Sequence, residues 1–262
     1  MSLSFDFKPL QGLTLASCLL AFLCILAQPA QAQKNRNNDD SKDRTSPTSS
    51  TSPSTSSASG SIHERVYNNA LQYADYSAAI MALYYWMAEE PNRLDLKDSL
   101  ATIYFTTGSN TQAVLLGQEI LKSEPNNLKN LEMVAIAYSR LGLMKQALES
   151  YENLFRLTES ARHLYQICVL EFKLERFGEC EQHARALIAH PKATEELIGI
   201  GVGENQMEQV KAKAAALNVL GVLAKERKQY AEARQLFQAA SEADPQFSLP
   251  RGNLADMDKD KQ

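Results

Sequence analysis

Apolar positions divide the chain into three stretches. Leu13 to Ala27 (LTLASCLLAFLCILA) is an unbroken apolar run, and from Gln33 to Ser61 apolar residues almost vanish. Beyond Ser61 they recur at three- and four-residue spacing, which lays a stripe along one face of a helix. The stripes come in pairs: ERVYNNALQYA with YSAAIMALYYWMAEEPNR, KDSLATIYFTTG with TQAVLLGQEILKSEPNN, and LEMVAIAYSRLG with KQALESYENLFRLTES. Gly108 and Gly142 fall at the turns inside two of these pairs. One segment breaks the helical period. In ELIGIGVGENQMEQVK, glycines 199, 201 and 203 alternate with Ile200 and Val202, a period of two that predicts a short β-hairpin turning near Gly203–Gln206. After Pro245, FSLPRGNLADMDKDKQ predicts one short polar helix capping what precedes it, then a charged tail.

The pairs also repeat. Ala79, Ala113 and Ala147 stand 34 residues apart, and Pro91 and Pro125 keep the same spacing. Two helices per 34 residues resembles the tetratricopeptide repeat. The last unit, 214–245, carries the resemblance most fully: Leu217, Leu220, Gly221, Ala224, Tyr230, Ala233, Phe237, Ala240 and Pro245 fall on the family's positions 4, 7, 8, 11, 17, 20, 24, 27 and 32. Small residues at positions 8 and 20 let the two helices approach, and larger apolar ones fill the space between neighbouring hairpins, which cannot bury their flanks alone. The first unit departs from the pattern, with Tyr67 at position 8 and His63 at position 4, as a terminal repeat does; Ser61 and Glu64 form an S-x-x-E capping box at its start. The resemblance implies an all-α fold, a right-handed superhelix of about five helical hairpins with the small β-hairpin inserted between the fourth and fifth.

The apolar run at the N-terminus changes the picture of where this fold resides. It is followed by QPAQAQ, in which Ala30 and Ala32 make an A-x-A site for cleavage after Ala32. At about fifteen residues it is shorter than the roughly 20 needed for a permanent membrane helix. An uncleaved signal, or a lipid anchor at Cys18 in LASC, is the alternative and the sole route to a membrane. The Ser/Thr/Pro-rich stretch that follows cannot bury enough apolar area to offset its ordering entropy. The expected organisation is therefore a signal peptide (1–32), a disordered linker (33–60), repeats one to four (61–192), the insertion (193–213), repeat five (214–247), and a cap helix with charged tail (248–262). The net charge of −4 argues against nucleic acid, whose binding domains carry a basic surplus.

Candidate chemistry is sparse. The insertion's glycines lack the G-x-G-x-x-G spacing, and no Gly-Lys-Ser/Thr follows them, so no nucleotide is expected. Cys168 and Cys180, with His163 and His183, could supply four zinc ligands, but in the family's frame the cysteines fall on the small-residue positions 8 and 20. There the paired helices come closest, so the frame and an oxidising compartment together imply a Cys168–Cys180 disulfide. No metal, cofactor or catalytic constellation is expected. The resemblance implies a concave groove lined by the first helix of each hairpin. Carried over by repeat position, that groove holds Asn68, Asp98, Phe105, Ile136, Arg140, Arg162, Tyr165, Val169, Phe172, Lys173 and Asn218. Acidic residues gather toward its first repeats and basic ones in the fourth. Tyr165, Val169 and Phe172 form an apolar patch there, either a partner anchor or a surface buried by the insertion or the cap. The family's clamp for carboxylate termini is missing, because Glu64 stands where it needs a lysine beside Asn68. The implied function is a non-enzymatic, exported scaffold binding a protein or peptide in its groove. The alternative is an accessory subunit of a larger envelope or secretion assembly acting through its convex face. A pentatricopeptide-type RNA binder would need a period of 35 and a basic groove.

Overall fold

The computed structural model describes residues 61–203 and 206–259. The expected signal peptide, its linker and the last three residues of the tail lie outside the described residues. The described residues fall in two compact units, one ending at Ala82 and one beginning at Leu83.

In the first unit, α1 (Ile62–Gln72) starts at Ser61, whose hydroxyl accepts the Glu64 N–H at 3.1 Å. That is the serine half of the expected capping box, and it satisfies one of the donors a helix start leaves free. Ala74 then takes a left-handed conformation (φ 53°), and α2 (Tyr76–Glu89) begins, with Ala79 and Ala82 buried.

The second unit runs through α3 (Leu94–Thr106), α4 (Asn110–Ser123), α5 (Leu128–Arg140), α6 (Met144–Thr158), α7 (Ala161–Lys173) and α8 (Phe177–Ala189). It continues with β1 (Leu197–Gly203), β2 (Gln206–Lys211), α9 (Ala212–Glu226), α10 (Tyr230–Ala243) and α11 (Ser248–Lys259). From α3 onward each helix packs on the next in sequence, and the first helices of neighbouring hairpins also touch, α3 with α5 and α7 with α9. That is the contact pattern of a helical-hairpin stack, where each repeat is buried by its neighbours. The small-residue rule holds throughout: Ala101, Ala135 and Cys168 on the first helices, and Ala113, Ala147, Cys180 and Ala233 on the second, are all fully buried. At Gly221 the approach is closer still. A Cβ there would lie 2.6 Å from the buried ring of Phe237, so only glycine fits.

The hairpin turns share one geometry. Gly108 (φ 81°), Gly142 (φ 75°), Glu175 (φ 59°) and Lys228 (φ 61°) each occupy the left-handed region just past the first helix. The following N–H returns to a carbonyl five residues back, as in Ser109 N–H to Tyr104 O (2.8 Å) and Arg176 N–H to Glu171 O (2.9 Å).

The insertion forms the expected antiparallel hairpin. Leu197 pairs with Lys211 and Ile200 with Glu208, with a register shift between Gly201 and Gly203. Ile198, Ile200 and Val210 point into the main core beside Tyr165, Val169 and Phe247. The hairpin is thus built into the stack between the fourth and fifth helix pairs. Because α9 is flanked by the sheet, α7, α8 and α10, it is apolar almost all round, as a helix buried on every side must be.

Candidate functional site

On α7, Tyr165, Val169, Phe172 and Lys173 sit at i, i+4, i+7 and i+8, so one helix face presents all four. Asn218 and Val222 do the same on α9, and the two faces meet around a cavity of about 320 Å³. Phe177, at the start of α8, and Leu249, on α11, close its sides. The Phe172 and Phe177 rings lie 5.5 Å apart and tilted by 59°, an edge-on arrangement that fixes both in place. Asn253 on α11 donates through Nδ2 to Asn218 Oδ1 at 3.0 Å, tying the cap helix to the cavity wall. Five of the expected groove residues therefore converge: Tyr165, Val169, Phe172, Lys173 and Asn218.

The expected patch is more enclosed than an open groove. Tyr165 is 4% exposed and Val169 9%, because Ile198 and Ile200 from the insertion, and Phe247 and Leu249 from the C-terminal segment, join the same cluster. Burial, and next the Cys168 thiol, push the Tyr165 hydroxyl well above its ordinary value. Lys173 is exposed as a residue at the mouth, and burial around its ammonium lowers it from its ordinary value.

The other expected groove residues are engaged elsewhere. Asp98 receives the Lys129 ammonium and the Asn130 amide (2.9 Å), which link α3 to α5. The Arg140 guanidinium lies 4.4 Å over the Phe105 ring, a cation–π contact, and is lowered by burial. Ile136 is half-buried against the main core, and Arg162 is exposed at the start of α7. Asn68 is exposed in the first unit. The expected run from acidic to basic is thus broken by internal pairing: the Asp98 charge is met by Lys129, from the next repeat.

The cysteine–histidine group separates into two arrangements. Cys168 and Cys180 share one buried cluster with Ala184, Leu220 and Leu223, as free thiols. The disulfide implied by the repeat frame is therefore not formed in the structure. Burial first, and then the charge of Glu171, push the Cys180 thiol to about 12; Cys168 is raised further by burial and by the adjoining Cys180. A thiol held that high has almost no thiolate at neutral pH, and the thiolate is what attacks a disulfide or a substrate. His183 points to Glu171, with Nδ1 at 2.8 and 2.9 Å from the two carboxylate oxygens, while His163 Nδ1 meets the Thr158 hydroxyl at 2.8 Å. Among the described residues no group of His, Cys, Asp and Glu is placed to hold a metal ion.

Repeat positions did not reveal Glu175, Phe177, Glu226 and Leu249 as cavity residues. Glu175 belongs to the turn, which the family pattern treats as a connector, and Phe177 takes position 17 at the start of α8, outside the positions that line the groove. Leu249 comes from α11, beyond the last repeat.

Residues 214–247 match the tetratricopeptide repeat family model. No curated protein sequence matches the chain. Among solved structures, a tetratricopeptide repeat protein from Parabacteroides merdae ATCC 43184 superposes with a TM-score of 0.57 at 22% identity, over 76% of this chain and 73% of that one. MamA gives 0.55 at 14% identity, over 70% and 91%. YrrB, described as a tetratricopeptide-repeat protein with an unusual peptide-binding site, gives 0.55 at 12% identity, over 73% and 89%. At these identities the likeness is one of fold. Residues 214–247 are a tetratricopeptide repeat, and the fold built around them is that of tetratricopeptide-repeat proteins.

Proposed function

We propose that this chain is a non-enzymatic scaffold that binds a protein or peptide partner at the α7–α9 cavity, and that it works in the cell envelope after export. The fold is one whose members serve as protein-interaction scaffolds. The observation that carries the site is the convergence of Tyr165, Val169, Phe172, Lys173 and Asn218 on one largely apolar cavity. Such concave, mostly apolar sites with a few polar groups are the usual form of a binding site. Export rests on the Leu13–Ala27 run and the A-x-A site after it. Among the described residues no helix is long and apolar enough to cross a membrane.

A photo-reactive residue placed at Lys173, and in a separate protein at Arg185 on the exposed face of α8, tests the reading in cells. Cross-links to the same few proteins from position 173, weakened by Phe172→Ala, are expected. Cross-links from position 185 alone would point to an accessory subunit working through its outer face and would refute cavity binding.

A further inference from the structure

We propose that the α7–α9 cavity anchors one bulky apolar side chain of a partner polypeptide and selects partners with a basic residue beside that anchor. The inference rests on the binding reading above and specifies its chemistry.

The size comes first. About 320 Å³ is at the floor of the roughly 300–1,000 Å³ range in which pockets take drug-sized molecules. It suits one aromatic or long aliphatic side chain. The walls match that occupant, since Tyr165, Val169, Phe172, Phe177, Val222 and Leu249 supply apolar surface from four separate elements. Apolar side chains seated in such desolvated pockets are where interfaces concentrate their energy.

The charge at the mouth sets the flank. Glu175 and Glu226 line the cavity and are exposed, and among the described residues neither takes part in an ion pair. Among the described residues Lys173 is the one cation lining it, and it already has an interaction of its own. Both carboxylates also sit at helix C-termini: Glu226 ends α9, and Glu175 follows the end of α7. The negative ends of the two helix dipoles add to the negative potential there. Glu175 is held in place by its turn, its N–H bonded to Phe172 O at 3.0 Å and the Arg176 N–H to Glu171 O. Two carboxylates and two helix ends against one ammonium leave the rim negative, so it favours lysine or arginine next to the anchor and repels an acidic neighbour.

The test uses fluorescein-labelled peptides and the full mature chain. GSGKFKGSG is compared with GSGKAKGSG, which lacks the anchor, and with GSGEFEGSG, which reverses the flanks. Both changes are expected to weaken binding about tenfold or more, as loss of an interface hot spot does. The Glu175→Lys/Glu226→Lys double variant is expected to reverse the order of the Lys- and Glu-flanked peptides. It leaves the fold intact, because Lys228 already occupies the equivalent left-handed turn position in the next hairpin and Glu226 is exposed. The idea is overturned by equal binding of the Phe and Ala peptides, by an unreversed charge preference, or by no binding of any peptide. Binding of free 2-phenylethylamine as tight as that of the peptide also overturns it, in favour of a small amine ligand. Partner cross-linking from position 173 alongside any of these failures would leave the binding reading standing and remove only the proposed chemistry.

Discussion

Glu171 carries a carboxylate in a nearly waterless place, 1% exposed, and His183 faces both of its oxygens. A buried carboxylate is costly unless it is paired. The hydrogen bond to Glu171 raises the His183 ring above its ordinary value, against the opposing effect of burial, and the charges of Glu171, Glu152 and Glu179 add to the rise. A histidine raised in the folded state contributes stability that is full below about pH 6.5 and lost as pH climbs through the raised value. His163 behaves oppositely, since burial lowers it, Glu132 and Glu196 oppose that and Arg162 adds to it; its contribution grows as pH rises toward the ordinary value. Comparing the protein with His183→Gln removes the His163 part. We expect the substitution to cost about 1 kcal/mol at pH 6, the low end for a hydrogen bond to a buried charge because the His183 ring is 40% exposed and its charge is screened, and distinctly less at pH 9. Urea midpoints at the two pH values measure it, and an equal cost at both would rule out the charged pair. The pair was not legible in the sequence. Positions 171 and 183 lie on different helices, and only the register set by the Cys168 and Cys180 contacts brings them face to face.

At the scale of elements, the Ala79–Ala113–Ala147 period exposed the helix pairs, yet half of each turn's logic was hidden. Gly108 and Gly142 advertise the left-handed turn, whereas Ala74, Glu175 and Lys228 adopt the same conformation without glycine. Their neighbours force it, because the returning hydrogen bonds and the packed helices on both sides outweigh a local strain of about 1–2 kcal/mol. The alternating Gly/Ile pattern made the inserted hairpin visible, but not the polar ties that seat it. Those ties join residues more than thirty positions apart. Glu196, just before β1, accepts the Ser160 hydroxyl and the N–H groups of Ala161 and Arg162 (both 3.1 Å) at the start of α7. Glu208 on β2 accepts the Ser248 N–H at 2.8 Å, at the start of α11. Glu196 is therefore a capping residue supplied by a distant element, and it complements the positive end of the helix. Burial would raise its carboxyl, but the Ser160 hydroxyl and the two N–H groups outweigh burial and hold it below the ordinary carboxylate range. Glu196→Ala is expected to cost about 1–2 kcal/mol, the upper part of the range for a lost cap. Because the folded value is depressed, that cost should be full above the ordinary carboxyl range and fade as pH falls through the depressed one. Chemical denaturation at pH 7 and pH 3 checks both parts; a cost that does not fade at pH 3 would show that lost packing, not the charge, is responsible.

At the scale of the whole molecule, the state of the thiols is tied to the compartment in which the chain folds. Cys168 and Cys180 stand where the second, third and fifth hairpins carry alanine or glycine, so packing alone would accept them as two small side chains. The exported chain would have no other thiols, since Cys18 and Cys24 lie in the expected signal peptide. Both thiols are fully buried and raised by that burial, so the finished fold is expected to resist oxidation. The bond, if it forms, must therefore form while the hairpin is still assembling, by exchange with a disulfide oxidant that leaves reduced as the two cysteines are oxidised. Two preparations separate the cases. Protein recovered from an oxidising compartment, denatured without reductant, should show no alkylatable thiol. Protein made in a reducing cytosol should show two, and should keep them when the native form is exposed to oxidised glutathione. The oxidised form should be the more stable by about 3 kcal/mol or somewhat less, the chain-entropy gain for a loop this short, with the Phe172–Phe177 wall of the cavity pinned by the same cross-link. Two free thiols in the exported protein would reduce the pair to packing. The cavity would then depend on non-covalent contacts alone: α7 would be held against α8 by the cluster that the cysteines share with Ala184, Leu220 and Leu223, by the Glu171–His183 pair and by the Phe172–Phe177 contact.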